Sequence, residues 1–213
     1  MDDATRPATT TRTWRRGHRS TGLLLVGFVI PHVIAQFAAV GGADAYGDAQ
    51  DALRAVYRQP WIEAALLAVI VLHLTSGTAV LLRRTSASVT ARLSGAALLA
   101  FLPVHVAGVL ACRHLFGLDS GFEFAAVGLH HVTTAWFFVP YYLLATTALA
   151  AHLGSALAYG RPDRGRIVRL AVAAGLAGGV LIVAALAGAF GPVSVAPAYY
   201  RLLGSEVEVE VRQ

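Results

Sequence analysis

The sequence predicts an all-α fold, an integral-membrane bundle of five transmembrane helices. Three observations predict it. Of 213 residues, 56% are hydrophobic and only 14% charged, with a mean hydropathy of +0.62. A soluble domain of this size carries roughly 25% charged residues. Five apolar stretches also reach about 20 residues, the length that crosses the hydrocarbon core of a bilayer. Finally, none of the five alternates between apolar and polar residues, so helices are expected rather than the strands of a barrel.

The elements follow in order. Residues 1–19 read as a basic tail. The first span covers 20–41 and ends at the glycines of an acidic loop. A cleaved signal sequence is the competing reading there, with Ala43-Asp44-Ala45 as a weak cleavage pattern. The apolar run is long for that and contains Pro31-His32, so retention is expected. The second span covers 60–82, opens on Pro60-Trp61 and stops at Arg83-Arg84. The third covers 91–112, the fourth 134–158 with Trp136 near its start, and the fifth 166–190. The domain division expected is therefore 1–19 tail, 20–190 transmembrane domain and 191–213 C-terminal tail, in which Glu206, Glu208 and Glu210 alternate with valine as in a short exposed strand.

All 17 basic residues are arginine, and the isoelectric point is near 9.9. Such a value suits nucleic acid, but the arginines sit in short loops, where topology explains them and no nucleic-acid partner is expected. Twelve of the 17 fall in the N-terminal tail, the loop after the second span and the loop after the fourth. The positive-inside rule makes that side cytoplasmic, with the N-terminus inside and the C-terminus outside. Asp44, Asp48, Asp51, Asp119 and Glu123 fall on the opposite side. The single cysteine, Cys112, excludes an internal disulfide and a cysteine-built metal site.

Four histidines, His32, His73, His105 and His152, stand one in each of the first four spans. An imidazole inside a membrane helix is costly and marks a functional site by default. At about 1.5 Å rise per residue, His32 and His105 lie roughly 18 and 20 Å from the cytoplasmic end, and His73 and His152 roughly 14 and 8–9 Å. The spacing therefore pairs His32 with His105 and His73 with His152. Two facing imidazoles at one depth suit the iron of a haem and leave it no open position, which makes it an electron carrier. Zinc is disfavoured, because no cysteine or carboxylate lies near any of the four. Two bis-histidine haems b are the expected cofactors. An internal echo accompanies them: Gly22 and Gly95 each precede a histidine by ten residues, and Pro31 and Pro103 stand just before His32 and His105.

The chain resembles the single-subunit, five-helix, dihaem cytochrome b anchors of succinate:quinone and quinol:fumarate oxidoreductases. The resemblance runs from about Gly17 to Phe190. It is carried by His32-Val33-Ile34-Ala35-Gln36-Phe37 with the Gly41–Tyr46 turn, by Leu72-His73-Leu74-Thr75-Ser76-Gly77, by Arg92-Leu93-Ser94-Gly95 leading to Val104-His105-Val106, and by Tyr141-Tyr142-Leu143 leading to Ala151-His152-Leu153-Gly154. The interval from His73 to His105 is shorter than usual in that family. The resemblance implies first-to-third and second-to-fourth histidine pairing in a bacterial cytoplasmic membrane. It also implies flavoprotein and iron–sulfur subunits on the cytoplasmic face, with a quinone, expected to be menaquinone, as substrate. The chain lacks flavin, dicarboxylate and iron–sulfur signatures of its own, so it would move electrons without performing succinate chemistry. A cytochrome b561-like subunit and a haem-free proton-coupled transporter are the alternatives. The transporter is disfavoured by the isolation of Glu63, the one carboxylate inside a span. Glu63 and Gln36, near the outer pair, are the expected quinone contacts. Arg19, Arg83 and Arg92 are candidates for the inner haem carboxylates. His18, His114, His130 and His131 receive no role.

Overall fold

The computed structural model describes residues 6–83 and 88–205, with side chains from residue 12 onward. Arg84 and the acidic 206–210 alternation lie outside the described residues. Eight α-helices form among the described residues: α1 (Arg6–Gln36), α2 (Ala43–Tyr57), α3 (Pro60–Leu82), α4 (Val89–His114), α5 (Phe122–Ala126), α6 (Ala135–Leu157), α7 (Arg164–Leu186) and α8 (Pro197–Tyr200). A 3-10 turn, Phe37–Gly41, prolongs α1, and a second, Arg201–Leu203, follows α8. There is no strand among the described residues.

Five helical stretches are long and apolar enough to span a bilayer: Arg12–Gly41, Pro60–Leu82, Val89–His114, Ala135–Leu157 and Arg164–Leu186. Their outward faces carry large apolar side chains, among them Leu23, Leu24, Val71, Leu72, Leu93 and Leu157, all exposed on the isolated chain. The protein is a multi-pass membrane protein. Two details depart from the sequence expectations. The helix of the first span continues unbroken through the basic tail to Arg6. The acidic segment after it is not a loop but α2.

Local chemistry explains the ends. Pro60 occupies the first turn of α3, where its missing N–H is not needed. The Ser88 side chain caps α4 by accepting from the Ala91 N–H at 3.2 Å. Within α3, hydroxyls that would otherwise meet lipid or apolar side chains return to their own helix. Thr75, Ser76 and Thr78 each donate to a carbonyl four residues back.

The helices pack in two groups. α1 lies along α3, and α6 lies between α4 and α7, while α3 and α4 touch only sparsely. Small residues set the α6–α7 contact: a side chain at Gly154 would meet Ala171 at 2.5 Å, and one at Gly175 would meet Ala150 at 2.6 Å and the Thr146 carbonyl at 2.8 Å. Backbones approach this closely only where side chains are absent, the usual means of helix association in lipid.

One end of the molecule ties the groups together. The turn Phe37–Gly41 packs on α7 and α2 packs on α5, with Ala39, Tyr46, Phe122, Ala126, Ile182 and Leu186 forming a buried cluster. The Arg54 Nη1 donates to Asp51 at 3.0 Å and to Asp119 at 3.1 Å, and Arg58 reaches the same Asp119. Burial opposes charge on Arg54, but the neighbouring carboxylates outweigh it and raise its pKa. The C-terminal segment closes over this end. The Tyr199 hydroxyl donates to the Asp119 carbonyl at 2.9 Å, and the Ala196 N–H donates to Glu123 at 2.6 Å. Burial, with Glu123 and Asp119 adding to it, pushes the Tyr199 pKa up to about 12.

Gly175→Val should disrupt the α6–α7 contact, because backbone and Cβ atoms leave the new side chain no room. Overpacking of this kind costs about 1–3 kcal/mol. Thermal melting in detergent should show a clear drop. Gly178→Ala, whose Cβ would meet only the rim of Phe37 at 3.0 Å, should be milder; equal melting of the two variants would refute the account.

Candidate functional site

The two helix groups enclose a cavity of about 1560 Å³. Pockets for a single small ligand run to about 300–1,000 Å³, so this space has room for more than one such group. Its walls are mainly apolar: Leu25, Val29, Leu66, Ile70, Leu98 and Leu102 are typical. Five histidines line it: His18, His32, His73, His105 and His152. His18 and His32 come from α1, His73 from α3, His105 from α4 and His152 from α6.

The structure brings together both pairs that the spacing predicts, and each pair bridges the two helix groups. His32 and His105 face each other with ring centres 6.1 Å apart and planes at 62°. Two imidazoles sharing one metal have centres about 6 Å apart, given metal–nitrogen bonds of about 2.0 Å and about 1.1 Å from nitrogen to ring centre. Aromatic rings hold the pair: Phe28 stacks on His32 at 5.3 Å and Phe101 on His105 at 5.2 Å. At the second pair, His73 and His152 have a companion that received no role from the sequence, His18. Ligand nitrogens of the three all lie within 4.8 Å of one another.

Thr21 Oγ1 lies 3.0 Å from His73 Nδ1 and 2.9 Å from the Gly17 carbonyl, so the hydroxyl ties the Nδ1 edge of His73 to α1 and leaves Nε2 as the ring nitrogen turned away from it. No protein acceptor meets Nδ1 of His32 or of His152 among the described residues. The glycine echo has a spatial meaning as well. A Cβ at Gly22 would stand 3.1 Å from the His73 ring, and one at Gly95 3.6 Å from the His152 ring. Each glycine therefore serves the inner histidines, not the outer pair toward which its own helix counts.

Glu63 is not isolated. Both its oxygens engage Arg113 from α4, Oε2 at 3.1 Å from Nη2 and Oε1 in a shorter contact with Nη1. Gln36 is also engaged: its amide nitrogen donates to the His32 carbonyl at 3.2 Å, and its oxygen accepts from the Tyr46 hydroxyl at 2.8 Å. Burial raises the Tyr46 pKa to about 12, keeping that hydroxyl a donor. Glu63, Arg113, Gln36, Tyr46 and the buried Gln50 all border the same end of the cavity. Sequence reading missed His18, which precedes the apolar run, and Arg113, fifty positions from its partner. It also missed the inward face of α2, where Tyr46, Gln50 and Arg54 recur every four residues and are buried.

Of the expected inner arginines, Arg19 borders the cavity, together with Arg12, Arg15, Arg16 and Arg164. Neither Arg83 nor Arg92 does. At the opposite end His130 donates from Nε2 to the Leu186 carbonyl at 2.8 Å, and His131 lies 2.9 Å from the Ser205 hydroxyl; both serve the closure of that end.

Arg113→Ala should destabilise the chain, because it strands the partly buried Glu63 carboxylate. Breaking a buried pair costs about 3–5 kcal/mol, an upper bound for this less than fully enclosed one. Replacing both residues by leucine should recover most of the loss in a detergent melt. A double variant no more stable than Arg113→Ala would show that the pair has no such role.

No family model, no curated protein and no solved structure matches this chain.

Proposed function

We propose that the chain is a dihaem cytochrome b, the membrane anchor of a succinate dehydrogenase or fumarate reductase type complex. The observation that carries the reading is the bridging of one apolar cleft by two histidine pairs, each with one member on either helix group. The residues fit the group on two further counts. The walls are apolar and the volume is large. Glycines replace side chains beside the inner imidazoles.

Bound in this cleft, haems b with two axial imidazoles would supply one-electron carriers that bind no oxygen. His32 and His105 would hold the outer one, with Phe28 and Phe101 fixing the ring planes. His73 and His152 would hold the inner one, with Thr21 holding the Nδ1 edge of His73; such outer partners orient metal-binding imidazoles generally. Arg12, Arg15, Arg16, Arg19 and Arg164 border the inner end and suit the haem carboxylates there. They also suit a docked iron–sulfur subunit accompanied by a flavoprotein. At the outer end Gln36, Tyr46 and the Glu63–Arg113 pair form a polar rim to the same cavity, where a quinone, menaquinone in this reading, would find hydrogen-bond donors and a carboxylate beside the outer histidines. The arginine bias supports an N-terminus in the cytoplasm and a C-terminus outside the membrane, which in this reading is a bacterial inner membrane.

Purified protein should show two low-spin b haems per chain in the pyridine haemochrome assay. His105→Ala and His32→Ala should each remove the same redox component, and His152→Ala the other. No haem signal in haem-replete preparations, or loss of different components in the His32 and His105 variants, would end the reading. Reporter fusions should place the two termini on opposite sides of the membrane, and a cytoplasmic C-terminus would reverse the assigned orientation.

A further inference from the structure

The inner end of the cleft holds one imidazole more than a bis-histidine haem uses. We propose that His18 is a reserve axial ligand for the inner haem, able to take the place of His73 opposite His152. The proposal rests on the dihaem reading above.

Its basis is geometric. His18 and His73 belong to the same helix group, α1 with α3, while His152 stands on the other. A group held between the two walls needs one imidazole from each. On the His152 side there is one candidate, and on the facing side there are two. The His18 and His73 rings stack with centres 4.0 Å apart and planes only 20° from parallel. Ligand nitrogens of all three residues lie within 4.8 Å of one another. Two nitrogens on one iron stand about 4 Å apart, twice a metal–imidazole bond of about 2.0 Å. Both facing imidazoles therefore lie within reach of a metal opposite His152, and exchanging His73 for His18 requires a shift comparable to the 4.0 Å between their ring centres.

The hydrogen bonds equip both rings alike. A carbonyl can only accept, so His18 Nδ1 donates to the His73 carbonyl at 3.3 Å. The neutral His18 ring then offers a bare Nε2, and Thr21 likewise leaves His73 Nε2 as the nitrogen turned away from it. Donation from the second ring nitrogen to a backbone carbonyl is the usual support of a metal-ligating histidine. Space is reserved for the ring as well: a Cβ at Gly77 would lie 3.1 Å from it. The outer pair has no equivalent, since His32 and His105 are flanked by phenylalanines.

The test compares His73→Ala, the His18→Ala/His73→Ala double variant and His152→Ala, each purified with its native haem. Haem per chain is measured by pyridine haemochrome, and the low-spin signals by electron paramagnetic resonance. His73→Ala should retain two haems, with the inner low-spin signal displaced in g-value. The double variant and His152→Ala should each retain one. The outer signal, present in all of them, reports that the bundle has folded. A His73→Ala chain with one haem, indistinguishable from the double variant, overturns the proposal. Should His73→Ala fail to assemble, His73→Gln removes the ligand while keeping a polar side chain beside Thr21, and is read the same way. A wild-type chain without haem refutes the dihaem reading itself, whereas two haems in wild type and one in His73→Ala refute the reserve ligand alone.

Discussion

The structure depends on keeping two groups of apolar helices apart along most of their length while their imidazoles face one another. Within lipid, helices have no hydrophobic drive to associate beyond packing and hydrogen bonds. The α6–α7 contact is close because glycines allow it, and α1–α3 forms a second unit. Between them the walls are lined by leucine, valine and phenylalanine, which offer a buried imidazole nothing to bond. Every histidine in the cleft must therefore be answered by a neighbour or by a bound group. Thr21 and the His73 carbonyl answer two of them, and among the described residues Nδ1 of His32 and of His152 meets no protein partner.

The two ends of the cleft solve different problems. At one end α2, α5, the turn Phe37–Gly41 and the C-terminal segment form a cap, knitted by Arg54, Arg58, Asp119 and Tyr199. Ion pairs at a protein surface contribute little alone, but here Asp119 is shared by two guanidiniums, and its carbonyl also receives the Tyr199 hydroxyl. The network joins segments distant in sequence. The arginine-rich end has no comparable cap among the described residues; α1 instead continues past the bundle as an arginine-bearing ridge. In the proposed reading, that asymmetry separates a closed quinone end from an end open to soluble partners.

The same contrast bears on the polar residues inside the spans. A lone carboxylate in a membrane helix invites a catalytic interpretation. Glu63 instead sits in a bidentate pair with Arg113, so the pair is the unit that any ligand at the outer rim would meet. Gln36 likewise acts through Tyr46, and its contribution to a rim site would be as one member of a bonded chain.

By itself the sequence determined the helical class and the five spans, and it indicated which histidines would come to lie near one another. Lipid leaves few structures that satisfy the backbone, and a constant rise per residue converts spacing into depth. The span positions follow from the same length requirement, even where α1 extends well beyond the apolar run. Tertiary structure alone decided what required knowledge of direction around each helix or of partners far along the chain. His18 falls outside the apolar run, and only the lie of α1 against α3 brings it to His73. Arg113 looks like a terminal interfacial charge until α3 and α4 set it against Glu63. The α2 segment has the polar composition of a loop, and its buried face becomes visible only once the bundle provides something for Tyr46, Gln50 and Arg54 to cover. Gly22 and Gly95 were legible as a repeat, but the rings they stand beside, His73 and His152, were not. A glycine acts on whatever lies across from it, and linear spacing carries no information about that neighbour.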